Sequence, residues 1–153
     1  MNLIAIGRLR SGPELDLFDR YNKRLRPRLT VAELPEERGT PTVVKRREGV
    51  ALLGALPRGA FIVPLDLGGH AVNSETFAVR LGQWAVLSRP VCFLIGGAEG
   101  LDTPVIDRSD YVLSLGVMTW PHFLVRAMLA EQLYRAQAIM LGHPYHRAGR
   151  PDI

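Results

Sequence analysis

The sequence predicts an α/β domain built on a parallel β-sheet with helices on both faces. Short, continuously apolar segments alternate with longer segments of helical periodicity along the chain. Because strands that are apolar on both sides must be covered on both sides, this alternation favours a sheet sandwiched between helices. The 153 residues fit one domain, residues 1–153, and 47% hydrophobic against 22% charged residues is typical of a globular protein.

Five segments are predicted to be strands because they are short, apolar and bounded by turn residues. They cover residues 2–7, 30–34, 60–65, 91–95 and 111–115. The first lacks the basic residues and the long apolar run of a signal peptide, so we interpret it as a strand. No apolar stretch approaches the roughly 20 residues that cross a bilayer. We therefore expect a cytoplasmic protein with no membrane partner.

Four segments are predicted to be helices, and they cover residues 15–25, 41–56, 74–87 and 121–141. Thr40 followed by Pro41 marks the second helix start, and Ser74 is the expected N-cap of the third. The final helix is apolar on most sides, which requires burial on most sides. We expect a homodimer in which this helix packs against its counterpart. The alternative is a central core helix within one chain.

Glycines follow three of the predicted strands, and they are Gly68, Gly69, Gly96, Gly97 and Gly116. Since the carboxyl ends of parallel strands meet at one edge of a sheet, these loops should converge on a ligand site there. The fourth-strand loop has neither the GxGxxG pattern nor a phosphate-binding lysine, which argues against a dinucleotide site. The apolar segment between Leu115 and Trp120 suits an adenine ring or a thioether, or brings Trp120 into the core.

His122 and the tail from His143 to Arg147 are the candidate chemical groups. His122 begins the final helix, where the helix dipole disfavours protonation, so a neutral imidazole could accept a proton. A structural histidine is the alternative. The tail combines two imidazoles, a phenol and a guanidinium, which can stack on a base and bind a phosphate. Because Pro144 breaks helical geometry and no acidic or thiol ligand is near, we expect no metal.

The net charge of +4 permits an anionic partner without requiring one. The cations are grouped, and the first group comprises Arg20, Lys23, Arg24, Arg26 and Arg28. A second group comprises Arg38, Lys45, Arg46 and Arg47. Either group can be a solvated helix face or an RNA-binding surface.

Four motifs occur together in the second half of the chain: Gly96-Gly97-x-Glu99-Gly100, Pro121-His122, Glu131-x-Leu133-Tyr134-Arg135-Ala136 and His143-Pro144-Tyr145-His146-Arg147. Together they resemble the RlmH (YbeA-like) family of bacterial 23S ribosomal RNA pseudouridine N3-methyltransferases, in the SPOUT superfamily. The resemblance extends over essentially the whole chain. Ala98 stands where that family leads us to expect proline, and Trp120 where a smaller aliphatic residue is expected.

The resemblance implies a SPOUT α/β fold with a C-terminal trefoil knot, a homodimer, and S-adenosyl-L-methionine (SAM) bound at the knot. The implied cofactor contacts are Leu65, Gly96, Leu115, Gly116, Val117, Met118, Thr119 and Trp120. The implied catalytic residues are His122, Tyr145, His146 and Arg147, with the tail supplied by the partner subunit. The implied substrate is 23S rRNA of the assembled ribosome. The alternatives are another RNA, such as a transfer RNA, or a non-catalytic ribosome-associated binding protein.

Overall fold

The structure, a computed structural model, describes residues 1–149 and contains one five-stranded sheet. The strands are β1 Asn2–Ile6, β2 Thr30–Leu34, β3 Phe61–Ala71, β4 Val91–Ile95 and β5 Leu113–Ser114. They lie in the order β2-β1-β4-β3-β5, and every pairing is parallel. The predicted parallel sheet is therefore confirmed.

Helices cover both faces of this sheet, as predicted. They are α1 Pro13–Asn22, α2 Pro41–Gly54, α3 Ser74–Ala85, α4 Thr103–Asp107 and α5 His122–Met140. Alternate residues of β4 contribute to separate cores: Phe93 packs towards α1, α3 and α5, whereas Leu94 packs towards α2 and α4. Cys92 belongs to the second core and is fully buried.

Strand β3 is longer than predicted and includes Gly68 and Gly69, so these glycines do not form a loop at the sheet edge. A Cβ on Gly69 would lie 2.7 Å from the carbonyl oxygen of Val112. Glycine therefore lets the chain before β5 approach β3 closely, and the next residue, His70, donates its N–H to Val112 O at 2.8 Å. The prediction that Gly68 and Gly69 form a loop of the ligand site is therefore wrong, because both glycines belong to a paired strand.

One predicted N-cap is wrong, and one helix was not predicted. Asn73, and not Ser74, caps α3, since its side chain accepts a hydrogen bond from Thr76 N at 2.8 Å. The Ser74 hydroxyl instead donates to Gln132 on α5. Helix α4 was not predicted because five residues are too few to show helical periodicity.

Helix α5 is the central helix of its layer. It packs between α1 and α3 and also contacts β4. Its fully buried positions include Ala127, Leu129, Ala130, Leu133 and Ala136. Burial within one chain thus accounts for the apolar sequence of α5, which was the alternative interpretation, and that sequence pattern does not by itself require a second chain.

Candidate active site

A cavity of about 370 Å³ lies beyond the carboxyl end of β4, next to the middle of β3, where β3 continues past its pairing with β4. Six of the eight predicted cofactor residues line it, namely Leu65, Gly96, Leu115, Gly116, Thr119 and Trp120. His122 and Val125 of α5 complete one wall. The other two predicted residues, Val117 and Met118, do not line the cavity and are 92% and 66% exposed. The cavity thus lies at the sheet edge where ligands bind in α/β proteins.

The loop after β4 forms a tight turn whose backbone faces this cavity. Gly100 N donates to Gly97 O at 3.1 Å, and Gly100 has a φ of +81°, a conformation that favours glycine. A Cβ on Gly96 would lie 2.9 Å from Gly100 O. The turn therefore excludes a side chain at position 96, where the backbone lines the cavity.

A second turn, after β5, is fixed by a buried hydroxyl. Ser114 Oγ donates to Gly116 O at 3.0 Å and accepts from Gly116 N at 3.2 Å. Gly116 has a φ of +110°, and a Cβ there would meet no atom within 4 Å. The missing side chain therefore leaves space beside the cavity. Sequence reasoning missed Ser114, since a serine that ends a strand carries no motif.

His122 is half-buried at the start of α5, and its Nε2 lies 3.8 Å from Glu36 Oε1. Burial lowers the pKa of His122, the nearby Glu36 carboxylate opposes this shift, and Arg126 adds to it. The buried Nε2 has no hydrogen-bond partner among residues 1–149. Burial, the largest of these causes, therefore favours the neutral imidazole, whereas the sequence-based expectation rested on the helix dipole.

Arg126, one turn further along α5, holds that helix against the sheet. Its guanidinium is 1% exposed and donates through Nη2 to Ile6 O at 3.0 Å and Gly7 O at 2.6 Å. Through Nη1 it forms an ion pair with Glu33 at 2.6 Å. These bonds place the first turn of α5, with His122, against the carboxyl ends of β1 and β2.

Glu48 on α2 is a buried carboxylate, 2% exposed, behind the loop after β4. Its Oε1 accepts the backbone N–H of Glu37 at 3.1 Å. A Cβ on Gly97 would lie 2.7 Å from its Oε2. Glu48 therefore fixes the segment that carries Glu36 and leaves no space for a side chain at position 97 of the glycine loop. Neither role could be read from the helical pattern around it.

The structure does not bring the tail to the His122 cavity within one chain. Tyr145 donates its hydroxyl to Glu131 at 2.9 Å, and His146 Nε2 lies 2.8 Å from Glu75. Burial, Tyr21 and Glu131 raise the pKa of Tyr145, so its phenol stays protonated at neutral pH. Arg147 is exposed. Glu131 is nine residues beyond His122 on α5, about 13 Å along the helix axis.

A second cavity, of about 620 Å³, lies between these two places. It shares Leu115 and Gly116 with the first cavity and is also lined by Glu75 and Glu131, which bind the tail. This second cavity therefore connects the wall formed by Leu115 and Gly116 with the two carboxylates that bind the tail.

A family model described as "Predicted SPOUT methyltransferase" matches residues 1–146. This chain belongs to that SPOUT family. Among its relatives, the ribosomal RNA large subunit methyltransferase H of Gluconacetobacter diazotrophicus is 64% identical over 151 residues, covering 99% of each chain. The protein of the same name from Acidiphilium cryptum is 56% identical, covering 99% of this chain and 96% of its own.

Similarity to solved structures is weaker. The ribosomal RNA small subunit methyltransferase E of Neisseria gonorrhoeae, bound to S-adenosyl methionine, has a TM-score of 0.48 at 13% identity, covering 92% of this chain and 66% of its own.

Within residues 1–149, no three His, Cys, Asp or Glu side chains are grouped as a metal site. No helix in that range is long and apolar enough to span a membrane.

The cavity fits the cofactor of SPOUT methyltransferases, SAM. Its volume lies in the range of roughly 300–1,000 Å³ that is usual for small-molecule sites. Leu65, Leu115 and Trp120 offer apolar surface for an adenine ring, while the backbone of Gly96 and Gly97 offers hydrogen-bonding groups. The open space beside Gly116 admits a ligand that a larger residue would exclude.

Proposed function

We propose that this SPOUT protein methylates N3 of a pseudouridine in 23S rRNA on the assembled ribosome, with SAM as methyl donor. The proposal is carried by the cavity beyond the carboxyl end of β4, which gathers Leu65, Gly96, Leu115 and Trp120 beside His122. The near full-length identity to proteins named ribosomal RNA large subunit methyltransferase H supports the substrate class.

SAM supplies an activated methyl group, so the chain must mainly position the donor and the acceptor in line. The proposed cofactor residues are the six that line the cavity, with Val117 and Met118 as exposed members of the same loop. The N3–H of the base must lose its proton as the new bond forms. His122 is the proposed acceptor, because burial keeps its imidazole neutral and its Nε2 has no partner among residues 1–149.

The tail residues have different proposed roles. Tyr145, whose phenol stays protonated, stacks on the base or donates a hydrogen bond. His146 positions or relays a proton, and the exposed Arg147 binds a phosphate or stabilises charge on the ring. Because these residues lie away from His122 in their own chain, we propose that each tail serves the cavity of a partner subunit in a homodimer.

The same proposal includes one SPOUT domain over residues 1–153, a C-terminal trefoil knot and a cytoplasmic location. The C-terminal extension begins at Ala148, and its residues from Arg150 onwards lie outside the described residues. Their contribution to RNA binding therefore has no structural account.

Incubation of the protein with labelled SAM and ribosomes, separated subunits or bare RNA tests the function, followed by mapping of the methyl group. Ribosomes from a strain lacking the enzyme are needed, so that the site is unmodified. Label on a transfer RNA would identify a different substrate. No transfer, together with no heat of SAM binding by calorimetry, would indicate a non-catalytic binding protein.

A further inference from the structure

The segment between α1 and β2 carries a group of cations that the proposed active site does not use. Arg20, at the end of α1, and four residues of the following loop are exposed, and we call them the basic loop: Arg20, Lys23, Arg24, Arg26 and Arg28. None of the five forms an ion pair with any residue in the range 1–149. Their charge is therefore not neutralised within the described chain.

The loop that carries these cations is held by two reciprocal side-chain clamps. Asn22 accepts the N–H of Leu29 at 2.8 Å and donates to its carbonyl at 3.4 Å. Gln137 of α5 accepts the N–H of Arg26 at 3.1 Å and donates to its carbonyl at 3.0 Å. Leu25, fully buried between the clamps, anchors the loop in the core. The cations are thus displayed on a fixed backbone, which lowers the entropy lost when a ligand is bound.

An apolar groove of about 1,000 Å³ lies directly beside the basic loop. Arg24 and Arg26 are among its lining residues, together with Tyr134, Leu141 and His143. Leu141 is 83% exposed. Apolar and aromatic surface next to fixed cations matches an unpaired nucleotide, whose base has flat apolar faces and whose phosphate is negative.

We propose that the basic loop and this groove form a second RNA-binding surface, which takes an unpaired nucleotide and its flanking phosphates in ribosomal RNA. The inference rests on the proposed function for the choice of RNA, and it adds a contact remote from the cofactor cavity of the same chain. The groove is lined by Met1, just before β1, and by Val91, the first residue of β4. It therefore lies at the opposite end of the sheet from the glycine loops. Helix α5 connects the two ends over about 27 Å.

A second copy of this chain is a poorer occupant of the groove. In a two-fold dimer the same patch faces itself, so the five cations would oppose five like charges. Like charges placed against each other across an interface disfavour association. Phosphates of RNA instead supply the opposite charge at high density.

The salt dependence of RNA binding tests the proposal. The test variant is Lys23→Gln/Arg28→Gln, because neither side chain makes a hydrogen bond or ion pair within residues 1–149. The matched control is Arg58→Gln/Arg108→Gln, which removes two exposed cations elsewhere on the surface. Affinity for protein-free large-subunit RNA is measured between 50 and 200 mM salt. Each lost phosphate contact should reduce the slope of log affinity against log salt by about 0.7–0.9.

For the test variant we expect a slope lower by about 1.4–1.8 and affinity about 30-fold weaker at 0.1 M salt, while the control matches wild type. The KM for ribosomes should rise with kcat and SAM affinity unchanged. A slope equal to that of the control would overturn the proposal. Weaker binding to ribosomes with unchanged binding to protein-free RNA would overturn it too, by indicating a ribosomal protein as partner.

A ten-nucleotide single-stranded RNA and a duplex of equal length test the groove. Preference for the single strand, lost when Leu141→Asp places a charge in the groove, supports the base-binding part. Tighter binding of the duplex contradicts it. If the wild-type protein methylates no ribosomal RNA, the proposed function is wrong. The dependence of RNA affinity on salt concentration still tests the proposed RNA-binding surface in that case.

Discussion

At the scale of single residues, the charge state of His122 is set by its burial and by charged neighbours that act in opposite directions. Burial and Arg126 lower its pKa, whereas Glu36, 3.8 Å from Nε2, raises it. Folding therefore keeps the imidazole neutral to a pH below 6.5, its ordinary pKa. The lowered pKa stabilises the folded protein fully above pH 6.5. This stabilisation is lost as the pH falls through the lower pKa that His122 has in the folded state.

Replacing Glu36 should move the acid limb of the activity profile to lower pH. Glu36→Gln removes the larger of the two negative charges that raise the pKa of His122, so this pKa falls further and the neutral base persists in more acidic solution. The measurement is the single-turnover methylation rate from pH 5 to 8. Glu37→Gln is the control, because Glu37 lies next in the chain and pairs with Arg47 instead. An unmoved acid limb in Glu36→Gln would remove His122 as the titrating group.

Arg126 should be one of the most sensitive positions for stability. Arg126→Met leaves Glu33 without its partner and two backbone carbonyls without donors, and we expect a loss of about 3–5 kcal/mol in the free energy of unfolding. Urea unfolding measures it. Glu33→Gln/Arg126→Met should cost less than the sum of the single changes, since the unpaired carboxylate is gone. Strict additivity would show that the pair is not coupled.

The pKa of Glu33 predicts how this contribution depends on pH. Burial opposes ionisation of Glu33, but the Leu9 N–H and Arg126 outweigh it and lower the pKa below 4.5. The stabilisation is therefore complete above pH 4.5 and disappears as the pH falls through the folded-state value. Arg126→Met should reduce the acid sensitivity of unfolding below pH 4.5, the ordinary pKa of Glu33.

At the scale of elements, the pairing of β3 with the chain before β5 depends on Gly69. Gly69→Ala places a methyl group 2.7 Å from Val112 O, and backbone cannot move aside as a side chain can. We expect a loss of about 1–3 kcal/mol in the free energy of unfolding. SAM affinity should fall as well, because β5 leads directly into the Leu115 wall of the cavity.

Gly68→Ala is the matched control for this prediction. A Cβ at Gly68 meets only the end of the Asp66 side chain, at 3.2 Å, so stability should change by less than about 1 kcal/mol. The SAM affinity, measured by calorimetry, and the free energy of unfolding, measured in urea, are compared between the two variants. Equal effects at the two positions would contradict a role for the close approach to Val112.

The same elements show what local sequence can and cannot predict. Strands β2 and β4 were predicted at their observed bounds, since short apolar runs between turn residues are a local signal. The extension of β3 depends on contact with Val112, which is distant in the chain. Glu48, Ser114 and Arg126 were missed as site residues for the same reason: their partners are set by tertiary folding.

At the scale of the whole molecule, the separation of the tail from His122 distinguishes two arrangements of the proposed active site. If each tail serves a partner subunit, a mixed dimer of His122→Ala and Arg147→Ala chains has one intact site. Random assembly should then restore about a quarter of wild-type activity, although each variant alone is inactive. Methylation by the co-expressed chains is the measurement.

Co-expression of two chains that both carry His122→Ala is the control, and it should stay inactive. No restoration in the His122→Ala and Arg147→Ala mixture, with mixed dimers demonstrated by differential tags, would assign the tail to its own chain. In that case the tail must leave Glu131 and Glu75 to reach the cavity.

The amide of Gln137 and the imidazole of His122 belong to one continuous helix, fifteen residues and about 22 Å apart along its axis. The proposed RNA-binding loop and the proposed reaction centre therefore cannot change their spacing without breaking α5. An enzyme built in this way selects its target by distance: only a nucleotide at the correct separation from the docked phosphates reaches the methyl donor. Substrate choice would then be encoded in the three-dimensional shape of the ribosome, and no reading of the surrounding base sequence would be needed.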